Sequence, residues 1–310
     1  MHTENIIPLG VIPGPSSPKS LDSFFIPFIE ECKALARGVQ TFDASIRQCF
    51  QLHAYLIAAF GDMPAISKLL CLKGHNGYCP CRCCLLRGER NRAKSGLTYY
   101  SPLCGPKRPD EVTDDGWNPH DLPLRTHEGH QAHLDEINQG ATVQIRQQLA
   151  THYGINGNSL LLSLPLISFP DSFPYDIMHL FFPNICPMLR DHWTGTGKYK
   201  DCAPVDPGYH LASDIWEQIG RETAEAYKTI PSQFVGALPD ITKTKYKAEF
   251  WSFWFVHLGP ILLRNRFPNN KYYQHYLLLV KIIKTCLQFT VTYDKLEELH
   301  EDVIKWVEQY

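Results

Sequence analysis

"IRQCFQLHAYLIAAFGDMPAISKLL", residues 46–70, is the stretch on which the fold turns. It opens with aromatic and β-branched residues and becomes continuously apolar toward Phe60. Such a run suits a buried central strand better than an amphipathic helix, so a strand is expected over Ile46–Phe60. Asp62 stands just past its end and can be read in two ways. It is a carboxylate at a strand terminus, or it is the N-cap of a helix "MPAISKLL" that carries Pro64 in its first turn. Phosphoryl transfer by two metal ions needs two or three carboxylates converging from different elements, because Mg2+ prefers hard oxygen ligands. One Asp alone cannot do this.

Upstream, the short apolar run Ile6–Ile12 ends in "PGPSSPKS", whose prolines cannot continue a ladder, and predicts one strand. Ser20 can cap a helix in which Leu21, Phe24, Phe25, Phe28, Ile29, Cys32, Leu35 and Ala36 recur at helical spacing until Gly38. Downstream, residues 74–121 are rich in Gly, Pro, Cys and Arg and have no sustained period. They predict an irregular insertion ordered by something other than a core. Helical spacing returns in "RTHEGHQAHLDEINQGATVQIRQQLATHY" (125–153), in "YDIMHLFFPNICPMLRDHW" (175–193), around 210–228, and as three packed helices in the last sixty residues. Pro183 and Pro187 would interrupt the second of these unless a new helix starts there. Asp176 and His179, three residues apart, share a helix face and suit either a buried hydrogen-bonded pair in the core or metal ligation, with core pairing the safer reading.

With 310 residues and 44% apolar content, the chain can bury one sizeable core or two modest ones. Its net charge of −2 gives no global pull toward nucleic acid or membrane, so any DNA contact must be local. No apolar run approaches the roughly 20 residues of a membrane span, and the N-terminus lacks a signal peptide's basic start. These features predict a soluble intracellular protein without a membrane partner. Thiols stay reduced in that compartment, and an odd count of 11 cysteines likewise favours ligands or bystanders over disulfides.

Four of those cysteines, Cys79, Cys81, Cys83 and Cys84, crowd into "GYCPCRCC". A CxxC turn at Cys81 and Cys84 places two thiolates at about the bite of tetrahedral zinc, and a closed structural site requires two more N or S ligands. His127 and His130, one helical turn apart, are the first candidates; His133, Cys79 and Cys104 are further options. The bland reading is unmetallated cysteines beside a solvated histidine face. Directly after the knot, "LRGERNRAK" carries Arg87, Arg90, Arg92 and Lys94, suited to phosphate backbones or simply to solvated surface, and "KTKYK" at 243–247 repeats the theme more weakly. There is no GxxxxGKS loop, no GxGxxG after a strand and no GxSxG elbow, so nucleotide hydrolysis, dinucleotide binding and α/β-hydrolase chemistry have no support.

Several segments together resemble one family. "VIPGPSSPKSLDSFFIPFIEECKALARGVQTFDAS", "FQLHAYLIAAFGDMPAISKLLCLKGHNGYCPCRCC", "TYYSPL", "LPLRTH" and "FPYDIMHLFFPNICPMLRDHW" are similar, in order and nearly end to end, to the transposases of CACTA-type (En/Spm) DNA transposons, especially fungal ones. The resemblance implies a DDE/D nuclease and strand transferase on a ribonuclease-H-like fold with a zinc-binding insertion, Mg2+-dependent cutting at transposon ends, and a nuclear location. By position, Asp62 matches the second catalytic carboxylate, and Cys81 and Cys84 match the cysteine half of the zinc site. The family's first Asp, its zinc-binding His pair and its final Glu have no counterpart here, and Pro183 stands where many relatives are acidic.

The expected fold class is therefore α/β plus α. Residues 1–73 form a partial ribonuclease-H-like core (third strand, helix, fourth strand), 74–125 a Cys/Arg-rich insertion, and 126–310 a mostly helical region. Asp62 is then a catalytic remnant, zinc on Cys81, Cys84, His127 and His130 is structural, and Mg2+ belongs only to an intact enzyme. The expected function is that of a transposase fragment inactive alone. Alternatives are a domesticated zinc- and DNA-binding module that can join full-length transposase, and a helical scaffold built on residues 208–310 with no DNA role.

Overall fold

The computed structural model describes residues 7–12, 14–16, 18, 20–90, 99–100, 117–197 and 207–310. They divide into two compact units, Met1–Tyr175 and Asp176–Tyr310. No helix among them is long and apolar enough to cross a membrane.

In the first unit, helix α1 (Asp22–Arg37) follows Ser20, whose hydroxyl accepts the Asp22 N–H at 3.1 Å. It stops at Gly38, whose φ of 101° is costly for any other residue. Strands β1 (Val39–Asp43) and β2 (Gln48–Leu52) then form an antiparallel hairpin with Thr41 opposite Phe50. Asp43 closes the turn by accepting the Ser45 N–H at 2.8 Å and its hydroxyl at 2.6 Å.

Two expectations need correction here. Residues 7–12 are exposed and take no regular structure, so the strand predicted at Ile6–Ile12 is not among the described elements. The long buried strand predicted over Ile46–Phe60 is a strand only at Gln48–Leu52, and there it is exposed throughout. Beyond Leu52 the chain runs on with Leu56 and Ala59 against the core and Tyr55, Ile57 and Phe60 outward. Its backbone holds on through isolated bonds, Ala54 N–H to Leu35 O and Ala59 N–H to Ser172 O, rather than through a ladder. An apolar run becomes a central strand only where neighbours offer it ladders on both sides. Among the described residues the sheets are two antiparallel pairs, β1–β2 and β3 (Glu89–Arg90) with β4 (Tyr99–Tyr100).

Helix α2 (Met63–Leu69) buries Ile66 and leads into Leu70, both fully enclosed. Helices α3 (His127–Gln139) and α4 (Val143–Tyr153) form a hairpin, each capped by a threonine, Thr126 and Thr142, that accepts an N–H of its first turn. The small core gathers Ile29, Ile66, Leu70, Leu134, Ile155, Phe169 and Phe173.

The second unit is helical: α5 (Ile177–Leu180), α6 (Cys186–Thr194), α7 (Ser213–Tyr227), α8 (Ala248–Phe253), α9 (Gly259–Leu262), α10 (Asn270–Cys286) and α11 (Tyr293–Gln309). Wide, π-type turns at Phe181–Ile185 and Trp254–Leu258 join α5 to α6 and α8 to α9. Each precedes a proline by one residue, Pro187 and Pro260. Proline brings no N–H and clashes with the carbonyl four residues back, and widening the turn relieves the clash without breaking the helix. So Pro183 and Pro187 do not end the segment they interrupt. The Phe255 carbonyl, five residues before Pro260, instead receives the Tyr276 hydroxyl at 2.5 Å. Gly259 makes room for that bond, since a Cβ there would stand 2.2 Å from the Tyr276 oxygen. Trp193, Trp216, Trp251, Trp254 and Trp306 are all buried in this core. Trp254, with no exposed surface, donates its indole N–H to Thr223 Oγ1 at 2.9 Å.

Candidate functional site

Asp62 is bound into the first turn of α2. Its Oδ1 accepts the Ala65 N–H at 2.6 Å, and Pro64 occupies the turn it caps. The structure realises the second of the two readings, the helix cap. A carboxylate pointed at backbone N–H groups is the usual way a helix start is satisfied.

The cysteine knot is organised by two buried arginines. Arg125, 6% exposed, donates through Nε to the carbonyls of Cys81 (3.1 Å) and Cys84 (3.2 Å), and through Nη2 to Cys79 Sγ (3.0 Å) and the Tyr153 carbonyl (2.7 Å). Its own N–H bonds Cys83 O at 2.9 Å, Leu85 N–H bonds Pro123 O, and Cys84 bridges Leu124, so residues 83–85 and 123–125 close the insertion at its base. Arg82, 5% exposed, lies over the Tyr175 ring at 3.9 Å and donates to Pro174 O at 2.8 Å. Gly154, left-handed at φ 71°, ends α4 under the knot, and a Cβ there would sit 2.2 Å from Cys79 O. In the described part of this segment, guanidinium groups that satisfy backbone carbonyls tie the knot to Leu124 and Arg125 and to the end of α4.

The thiols are shifted in opposite directions by their neighbours. Cys81 is held far below the ordinary thiol range because the thiols of Cys83 and Cys84 donate to it, joined by Tyr175 and the Cys83 N–H at 3.3 Å. Cys83 and Cys84 are pushed up as donors in those same bonds. Cys79 is raised by burial, against the pull of Arg125.

The histidines of α3 serve the core instead. His127 Nδ1 accepts the Phe169 N–H at 3.1 Å. His130, 2% exposed, packs its ring 4.2 Å from that of Phe169, and burial lowers its pKa to about 4. Neither of its ring nitrogens has a hydrogen-bond partner among the described residues. His133 stacks on Tyr153 at 3.8 Å.

As a zinc site the four predicted ligands fit only by half. Cys81 and Cys84 turn their sulfurs together, which suits a soft ion. His127 is engaged with backbone, and among the described residues no three His, Cys, Asp or Glu side chains are grouped to hold one ion. The structure does not bring Cys81, Cys84, His127 and His130 into one coordination group.

Of the predicted basic cluster, Arg87 is exposed and follows the knot directly. Arg92, Lys94 and the Arg90 side chain lie outside the described residues, as does Cys104. Asp176 caps α5 by accepting the His179 N–H at 3.2 Å, and its other oxygen lies 2.8 Å from His179 Nδ1. That hydrogen bond lowers the Asp176 pKa. The pair is partly exposed and acts as a helix cap rather than as core.

Sequence reasoning missed Arg82 and Arg125. Each stands beside features that attracted notice, in "PCRCC" and "LPLRTH", but a single arginine carries no spacing of its own. No curated protein and no solved structure matches the chain. Over residues 1–101 it matches the family model described as "Transposase family tnp2", and this supports a transposase.

Proposed function

We propose that the chain is a transposition-related DNA-binding protein, of the CACTA type that its motifs resemble, which does not by itself cut DNA. The observation that carries this reading is the engagement of Asp62. The carboxylate that the resemblance assigns to catalysis already caps α2, and one carboxylate cannot position two divalent ions. The family match over residues 1–101, which contain both Asp62 and the knot, supports the link to transposition. The ribonuclease-H-like arrangement rests on the resemblance alone.

DNA contact is assigned to the basic stretch after the knot, where Arg87 is exposed. Arg87 itself follows directly on the knot, whose base is fixed by Arg125. The resemblance also favours a structural zinc on Cys81 and Cys84, and with two thiols supplied, a bound ion would need its other ligands from beyond the described groups. Metal analysis of the purified protein, before and after Cys81→Ser and Cys84→Ser, tests this. One zinc per chain lost in both variants supports it, and none in the wild type removes it.

DNA binding is tested by titrating labelled duplex DNA at two salt concentrations with the wild type and Arg87→Glu. Salt-sensitive binding weakened by the substitution supports the reading, and absence of binding at low salt contradicts it.

A further inference from the structure

We propose a second nucleic-acid contact, on the unit Asp176–Tyr310, where the loop at residues 239–247 and the adjoining face of α7 bind backbone phosphate through Lys243 and Arg221 at the mouth of a cavity of about 810 Å3. Arg190 of α6 lines the same cavity, so three cations reach it from three separate segments. The choice of nucleic acid among phosphate esters rests on the transposition reading above.

The loop is preformed. Asp240 Oδ1 accepts both the Thr242 N–H (2.8 Å) and its hydroxyl (2.6 Å), and the buried Tyr246 donates its hydroxyl to Pro239 O at 2.5 Å. Gly220 lets this loop lie directly on α7, since a Cβ there would meet Asp240 Oδ1 at 2.2 Å. Tyr246 turned inward leaves Lys243, Lys245 and Lys247 exposed along the outer edge. Little ordering cost would then accompany binding, because the backbone presenting these lysines is already fixed.

Carboxylates also line the cavity, and they set the character of the site. Asp191 takes Arg190 at 2.6 Å and the Thr196 hydroxyl at 3.2 Å, and Asp240 is engaged by Thr242. Glu217 stands 3.8 Å from Arg221, and Lys243 lies 3.6 Å from Asp240, both loose pairs with well-exposed cations. Exposed pairs of this kind contribute little and exchange readily for a phosphate. Ser213 adds a neutral hydroxyl, whereas the Thr194 hydroxyl is already donated to the Arg190 carbonyl at 2.8 Å. A deeply buried anion would meet the three acids, whereas a backbone phosphate at the mouth meets Arg221 and the lysine edge. The contact should accordingly be sequence-independent and sensitive to salt.

The test is fluorescence anisotropy of a labelled duplex with the wild type, a Lys243→Glu/Lys245→Glu/Lys247→Glu variant and Arg87→Glu, across a salt series, with circular dichroism to check folding. The loop variant is expected to lose about tenfold or more in affinity and to flatten the salt dependence by about two to three contacts. The same three positions changed to Gln should give a smaller loss in the same direction, and they replace the Glu variant if it alters the circular dichroism. Loop variants within about twofold of the wild type, with Arg87→Glu alone abolishing binding, would overturn this site and leave the DNA-binding reading standing. A wild type that binds no duplex at low salt would overturn both.

Discussion

Met1–Tyr175 buries charge where Asp176–Tyr310 buries tryptophan. The second unit encloses 26 apolar side chains in one cluster among its described residues, against 12 in the first, and its buried Thr223 is tied to the Trp254 indole and the Ile219 carbonyl. The first unit relies on Arg82 and Arg125, which fasten an irregular segment that has little apolar surface to offer, and it buries the His130 ring against Phe169. The difference teaches how each responds to damage. A packed aromatic core fails by cavity formation, whereas a guanidinium latch fails by leaving several carbonyls unpaired at once.

The contrast can be tested from both sides. Trp254→Ala opens the centre of the aromatic core and frees Thr223 from its indole partner, so a loss of about 3–5 kcal/mol is expected from denaturant unfolding followed by tryptophan fluorescence. A loss below about 1 kcal/mol would mean that this core is not what holds the second unit. Arg125→Met keeps side-chain bulk but deletes the donors to Cys79, Cys81, Cys84 and Tyr153, and about 2–4 kcal/mol should disappear from the first unit alone. Faster labelling of the buried Cys79 and Cys84 by a thiol reagent, with unchanged tryptophan fluorescence, is the signature.

Acid tests the first unit through one buried ring. His130 has an ordinary pKa of 6.5 and a folded value of about 4, so between those values the unfolded chain binds the extra proton and the native state does not. Stability of the first unit is therefore intact above pH 6.5 and falls as pH drops toward 4, by on the order of 3 kcal/mol. His130→Phe should flatten that slope in a pH series of thiol labelling rates, and an unchanged slope would place the acid sensitivity elsewhere. The smallest effect concerns Asp62. Replacement by Ala should cost about 1 kcal/mol, and replacement by Asn, an equally good cap, close to nothing.

Much of this was legible in the sequence wherever local chemistry decides. The helix from Ser20 to Gly38, the cap at Asp62 and the helices of the C-terminal part follow from spacing, caps and breakers. The stretch 46–60 was misread because its apolar content says that it touches a core, and says nothing about whether partner strands stand beside it. The candidate site was half legible. Clustered cysteines drew attention to the right segment, but what arranges them is Arg125, more than forty residues from the thiol it meets. A lone arginine gives no periodic or motif signal. For the histidines the one-turn spacing fits ligands and core packing equally well, and the sequence could not say that the His130 ring packs against Phe169.

The central claim of the proposed function is that Asp62 caps α2 in a chain that does not by itself cut DNA. Its most direct test is Mg2+-dependent cleavage of transposon-end DNA by the purified 310-residue protein, beside Asp62→Asn, which keeps the cap and weakens metal binding. The account predicts no cleavage by either protein, with equal stability and equal DNA binding. Cleavage by the wild type that disappears in Asp62→Asn would contradict it.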